Sequence, residues 1–179
     1  MPFLTTLTTP APYHLLSYGT LLGTTFFQSF IGGTTAFRVL PRHAFSTLQS
    51  NIFPIYFGMQ TVLPVAMALT YPDAAGRGIA GLFEADTRWS ALVPTLTMLV
   101  TGAANWVVVG PATTGVMKER KHQETRDGKK SYDPGPHSPE MQKLNKKFMR
   151  LHGVSSLLNL SGLLAMIWYG IALSERLRI

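Results

Sequence analysis

The chain has 179 residues, 46% of them apolar, no cysteine and a formal net charge of +7. The missing cysteines exclude disulfides, thiol catalysis and cysteine-ligated zinc. Mean hydropathy is only +0.15, a value that suits a soluble protein, yet the charge is segregated: residues 1–37, 43–72, 89–117 and 151–173 hold no Asp, Glu, Lys or Arg. Each of these runs can hold the roughly 20 apolar residues that cross a bilayer, whereas a soluble helix scatters charge along its exposed face. Membrane topology therefore explains the basic balance better than nucleic acid does, and no nucleic-acid partner is expected.

The fold class expected is all-α: a polytopic membrane protein, residues 1–179 forming one membrane domain with a bundle of four transmembrane helices at about 13–37, 43–71, 89–117 and 140–173. Residues 1–12, with Pro10 and Pro12, read as a short flexible entry. No Lys or Arg precedes Arg38, so neither a secretory signal nor an Arg-rich mitochondrial presequence fits, and the first helix is expected to be retained. In that helix Gly19 and Gly23 form GxxxG, followed by Ser29 and Gly33 at the same small-xxx-small spacing. Such spacing lets helix backbones approach closely in lipid, so Gly19 and Gly23 are expected to face another helix. His14, Ser17, Thr24 and Gln28 lie close to one face and are expected to look inward.

Arg38 to Arg42 reads as a tight turn. Pro54 and Pro64 should bend the second helix, because proline removes a backbone donor and clashes with the preceding turn. Gln49, Tyr56 and Gln60 can share its inner face. Residues 72–88 are Gly-rich with mixed charge, a solvent loop with room for a short surface helix. In the third helix Thr97, Thr101 and Asn105 share a face. Residues 118–139 read as a long polar loop, too charged and Pro-rich to enter lipid.

The fourth helix organises the chain. Lys143, Lys146, Lys147 and Arg150 stand before its charge-free run, and Trp168 and Tyr169 stand near its far end. His152, Ser155, Ser156 and Asn159 fall at i, i+3, i+4 and i+7, a polar stripe on one helical face. Polar side chains in lipid need partners on other helices or in a hydrated cavity, so the stripe is expected to meet Gln28, Gln49, Gln60 and Asn105.

Orientation follows from the basic residues. Arg38, Arg42, the six Lys and Arg of 118–130, and Lys143, Lys146, Lys147 and Arg150 fall on one side, against Arg77, Arg88, Arg176 and Arg178 on the other. The positive-inside rule then makes loop 118–139 cytoplasmic and both termini non-cytoplasmic. Tyr13, Tyr18, Tyr71, Trp89, Trp168 and Tyr169 collect at the non-cytoplasmic ends, as an interfacial aromatic girdle does. An endomembrane or plasma-membrane location is expected, with a mitochondrial membrane as a further option.

HLLSYGTLLGTTFFQSFIGG (14–33), FPIYFGMQ (53–60), GPATTGVMKERKHQETRDGKK (110–130), YDPGPHSPEM (132–141) and RLHGVSSLLNL (150–160) resemble the transmembrane-protein-205-like family in its fungal branch. The resemblance covers most of the chain in order. It implies a small four-helix membrane domain of unknown function, whose animal member is associated with platinum-drug resistance and with vesicular or surface membranes. That association has invoked sulfur ligands; here only methionine thioethers could serve.

The polar stripe has two readings: a cavity for a small solute, ion or lipid headgroup, or an interhelical hydrogen-bond network that fixes the bundle. The second is favoured because no Asp, Glu, Lys or Arg lies mid-membrane. A serine-hydrolase reading of His152 with Ser155 or Ser156 lacks an orienting carboxylate and a nucleophile elbow. His14 reads as an interfacial histidine, and His122, Glu124, Asp127, Asp133 and His137 match no ligand signature. Met59, Met67, Met98 and Met166 show no paired thioether motif, and ordinary packing explains them.

No catalytic residue, metal site or cofactor is expected. The expected partners are the bilayer and membrane proteins or further copies of the chain. The expected function is a non-enzymatic accessory or scaffold component of a membrane complex, with loop 118–139 as its contact surface. A small-solute, drug or metal transporter, or a subunit of one, is the alternative. A transporter usually shows internal repeats, and none is evident.

Overall fold

The computed structural model describes residues 2–73 and 77–176, and these are helical, with no strand among them. A short helix α1 (Pro2–Thr6) precedes α2 (Ala11–Phe26), a π turn (Phe27–Gly32) and α3 (Gly33–Val39), which follow one another without a break. Then come α4 (Arg42–Leu69), a 3-10 turn (Gly78–Phe83), a π turn (Arg88–Leu92), α5 (Val93–Ala104), a third π turn (Asn105–Val109), α6 (Gly110–Asp127) and α7 (Pro139–Arg176).

Three helices, Arg42–Leu69, Arg88–Asp127 and Pro139–Glu175, are long and apolar enough to cross a membrane. In each, at most a third of the most apolar window is buried inside the protein. Val62, Val107 and Leu157 point outward at 57%, 69% and 66% exposure, while Gln49, Gln60 and Asn105 are buried. A protein dressed for water has the reverse arrangement. The expected fourth span is the rod of α2, π turn and α3, whose longest regular stretch is 16 residues.

Side-chain contacts fix the directions. His14 lies against Met67 and Tyr169, while further along the first rod Gln28 reaches Gln49 and Ser29 meets Asn159. The first rod is therefore antiparallel to both α4 and α7. Trp168 donates its indole N–H to the Trp89 carbonyl and Arg120 lies over Phe148, so the Arg88–Asp127 rod is also antiparallel to α7.

The interior is layered along this axis. At one end Leu21, Met67, Tyr71, Leu82, Met98, Leu163, Met166 and Tyr169 form an apolar core. Met67, Met98 and Met166 thus pack as core side chains. A polar band follows, and beyond it a hairpin of α6 and α7 closes over buried Val116 and Met141.

Several boundaries differ from expectation. Residues 2–6 at the start of the chain are helical, and Thr8 and Thr9 turn back onto the carbonyls of Thr5 and Thr6. The stretch 118–139 is not a continuous loop: α6 runs on to Asp127 and ends at Gly128, which takes the left-handed conformation (φ 61°) that a side chain disfavours. The loop is short, and Ser138 pins it by donating its hydroxyl to Asp127 (2.7 Å) and accepting the Met141 N–H (3.1 Å). KERKHQETRD is polar but made largely of strong helix formers, so composition kept it from lipid without keeping it from the helix.

The small-residue expectation also needs correction. Gly19 and Gly23 lie on the exposed side of α2, and a Cβ added at either would meet nothing within 4 Å among the described residues. The inward face of α2 is that of His14, Leu21 and Thr25, roughly opposite on the helix. Close approach occurs elsewhere: a Cβ on Gly102 would lie 2.6 Å from the Gln60 carbonyl oxygen.

Across the 72–88 connection Arg77 pairs with Asp73 (3.0 Å) and Glu84 (2.7 Å). The Asp73 hydrogen bonds, with a smaller contribution from Glu84, hold the Arg77 guanidinium above its usual range.

Candidate functional site

The polar band is built from three rods. The inner face of α4 presents Tyr56 and Gln60 one turn apart; the first rod presents Thr25 and Ser29, likewise one turn apart; α7 presents Asn159. Asn159 is the hub. Its carbonyl oxygen accepts from the Tyr56 hydroxyl (2.7 Å) and from Gln60 Nε2 (2.8 Å), and its Nδ2 donates to Ser29 Oγ (2.8 Å). Gln60 Nε2 also lies within reach of Thr25 Oγ1 (3.1 Å) and the Tyr56 hydroxyl (2.9 Å). Five side chains thus satisfy one another across three rods, with no charge among them. Alongside, Gln28 donates to the Gln49 carbonyl oxygen at 3.0 Å.

The residues expected at the site divide. Gln60 and Asn159 meet directly, and Gln28 and Gln49 pair with each other. Asn105 is fully buried, but on another face of α7: its amide donates to the Ser155 backbone carbonyl (3.2 Å), and its own Oδ1 finds no partner among the described residues. Ser155 thus contributes backbone rather than hydroxyl. His152 and Ser156 are exposed, and the His152 ring stacks on Phe148 (5.8 Å, interplanar 2°). The four-residue stripe is therefore not one site: beyond Ser29 the first rod continues as α3, whose main contacts outside that rod are with α4.

Tyr56, Thr25 and Ser29 belong to the network without having been singled out for it. Tyr56 carried a signal, its place between Gln49 and Gln60 on one face. Thr25 and Ser29 carried little, because hydroxyls in membrane helices commonly bond their own backbone, as Thr24 does to Thr20 (2.7 Å).

A second cluster lies nearer the α2 N-terminus. His14, in the first turn of α2, is 2% exposed. Its Nδ1 lies 2.9 Å from the Met67 carbonyl, which can only accept, so Nδ1 carries the proton. In the neutral ring Nε2 then accepts from the Tyr169 hydroxyl at 2.6 Å. Tyr71 and Tyr18 flank the pair, and Tyr18 donates to the Met166 carbonyl (3.1 Å). This cluster ties α2, α4 and α7 together just as the polar band does.

Outside the network a groove of about 320 Å³ opens between the first rod and α4, lined by Gly23, Thr24, Phe27, Gln28, Ile52, Ile55, Tyr56 and Met59. It is mostly apolar, with Tyr56 and Gln28 its link to the polar band. Among the described residues no three His, Asp or Glu side chains are grouped to hold a metal ion.

Residues 16–122 match a family described as a domain of unknown function, DUF4149. The chain belongs to this family. A similar protein is the Xanthocillin biosynthesis cluster protein D of Aspergillus fumigatus, 36% identical over 166 residues that make up 93% of this chain and 90% of that protein. No solved structure matches the chain. Membership of DUF4149 brings no assigned activity.

Proposed function

We propose that this DUF4149 protein is a four-span, non-enzymatic integral membrane protein of the transmembrane-protein-205-like kind, acting as an accessory or scaffold component of a membrane complex. The observation that carries the reading is the closed network around Asn159, in which both amide atoms are engaged by Tyr56, Gln60 and Ser29. A conduit keeps polar groups free for its cargo and usually places an ionisable one mid-membrane; here the groups around Asn159 direct their hydrogen bonds to one another. The first rod, Ala11 to Val39, is proposed as the fourth span. The termini are placed on the non-cytoplasmic side, with the α6–α7 hairpin in the cytoplasm of an endomembrane or plasma-membrane protein and serving as the contact surface. The name of the Aspergillus fumigatus relative ties that protein to a biosynthesis cluster; by likeness, the complex served here is one of biosynthetic proteins.

A second reading, transport of a small solute, drug or metal, is favoured by the groove that reaches Tyr56 and Gln28 from the outer face. Native mass measurement after extraction in mild detergent separates the two. The accessory reading expects a stoichiometric protein partner, released by substitutions on the hairpin. A lone chain that drives solute flux in sealed vesicles would replace it with the second.

A further inference from the structure

The basic residues before the α7 span do more than set orientation. Lys143, Lys146, Lys147 and Arg150 fall at i, i+3, i+4 and i+7, so they share one face of α7, and all four are exposed. The ion pairs among the described residues join Arg77 to Asp73 and Glu84, and Lys130 to Glu124; none uses these four, and Glu140 one turn earlier engages none of them. The same face continues without rotation into Val154, Leu157, Ser161, Leu164 and Trp168, all exposed as well. One outer strip of a single helix therefore changes from four cations without an ion-pair partner among the described residues to a face that is apolar but for Ser161.

Lengths fit a lipid. From Arg150 to Ser161 the helix rises about 16 Å at 1.5 Å per residue, close to the ~15 Å half-thickness of a hydrocarbon core. The strip's far end, Trp168, lies about 27 Å from Arg150 by the same rise, where an interfacial tryptophan belongs. The polarity profile along this face is that of a phospholipid lying beside it, anionic head at Lys147 and Arg150, acyl chain along Val154 and Leu157 and ending near Ser161. A protein partner docked on the strip would have to be acidic and apolar at matching depths; the leaflet supplies that combination already.

We infer that this face of α7 is a binding site for an anionic phospholipid of the leaflet next to the α6–α7 hairpin. The inference rests on the membrane-spanning reading above. Because the chain has no cysteine, a single Leu157→Cys carries a bimane label onto the strip, and Val107→Cys carries one onto an exposed face of another helix. Both are placed in nanodiscs of phosphatidylcholine holding 10 mol% (by design) of either brominated phosphatidylserine or brominated phosphatidylcholine.

At Leu157 the brominated phosphatidylserine is expected to quench as though enriched about tenfold over the phosphatidylcholine, the factor that corresponds to ~1.4 kcal/mol. High salt and the K143Q/K146Q/K147Q/R150Q variant should each abolish the excess, and Val107 should show none. Equal quenching by the two lipids at Leu157, or an excess that survives the four substitutions, overturns the lipid site and points instead to an acidic protein partner or to topology alone. Nanodiscs made wholly of brominated phosphatidylcholine separate the two failures. No quenching at Leu157 there means that α7 is not in the bilayer, which removes the spanning reading and the lipid site with it.

Discussion

Asn159→Leu is the sharpest probe of the polar band, because it keeps similar volume while deleting three hydrogen bonds, those to Tyr56, Gln60 and Ser29. Side-chain hydrogen bonds in membrane bundles average about 0.6 kcal/mol each, so their loss should cost about 2 kcal/mol. The stranded groups keep some partners: Gln60 retains Thr25 and Tyr56, and Tyr56 retains Ser29 at 3.4 Å. For a chain of this size 1 kcal/mol moves the melting temperature by about 2–4 °C. The expected shift is therefore about 4–8 °C downward. Ser29→Ala, which loses one bond to Asn159 and a longer one to Tyr56, should fall between that variant and wild type. His152→Leu should stay within about 0.5 kcal/mol of wild type, because His152 is exposed and only stacks on Phe148. The assay is thermal unfolding in detergent, read beside protein abundance and solute flux in reconstituted vesicles. The reasoning is refuted if His152→Leu destabilises as much as Asn159→Leu. It is refuted equally if Asn159→Leu abolishes flux while stability and abundance stay at wild-type levels.

Three further outcomes follow from the packing. Gly102→Val should lose about 1–3 kcal/mol through overpacking, since its Cβ would press on the Gln60 backbone; Gly23→Leu should be near neutral in the monomer, and a thermal melt ranks the two. His14→Leu should cost about 1–3 kcal/mol by deleting the hydrogen bonds to the Met67 carbonyl and the Tyr169 hydroxyl, seen as a lower melting temperature that Tyr169→Phe reproduces in part. Gly128→Val should fray the end of α6 by about 1 kcal/mol, because only glycine takes φ 61° there at little cost, and hydrogen exchange across 118–127 should rise.

The long helices are legible because charge is segregated along the chain. Charge-free runs located the long helices, and the period of Gln49, Tyr56 and Gln60 gave the inner face of α4 correctly, as their burial attests. Periodicity fails where it must be told which neighbour stands opposite. Gly19 and Gly23 have the right spacing for helix contact, but the face that turns inward is decided by His14, Leu21 and Thr25. His152 shares a stripe with Asn159, yet the rod that partners Asn159 through Ser29 does not cover His152 one to two turns away. The pairing of His14 with Tyr169 spans 155 residues of sequence and has no local signature. The polarity of 118–127 masks its helical continuation, which its helix formers and the Gly128 stop both signal.

The claim on which the rest depends is that four rods, not three, cross the membrane. Single cysteines at Thr8, Leu40, Asp86 and Ser131 in this cysteine-free chain, probed with an impermeant thiol reagent in sealed vesicles, test it directly. Alternation is expected, with Thr8→Cys and Asp86→Cys labelled from the non-cytoplasmic side and Leu40→Cys and Ser131→Cys only from the cytoplasmic side. Labelling of Thr8→Cys and Leu40→Cys from the same side would contradict it, leaving the first rod on the membrane surface and three helices to span.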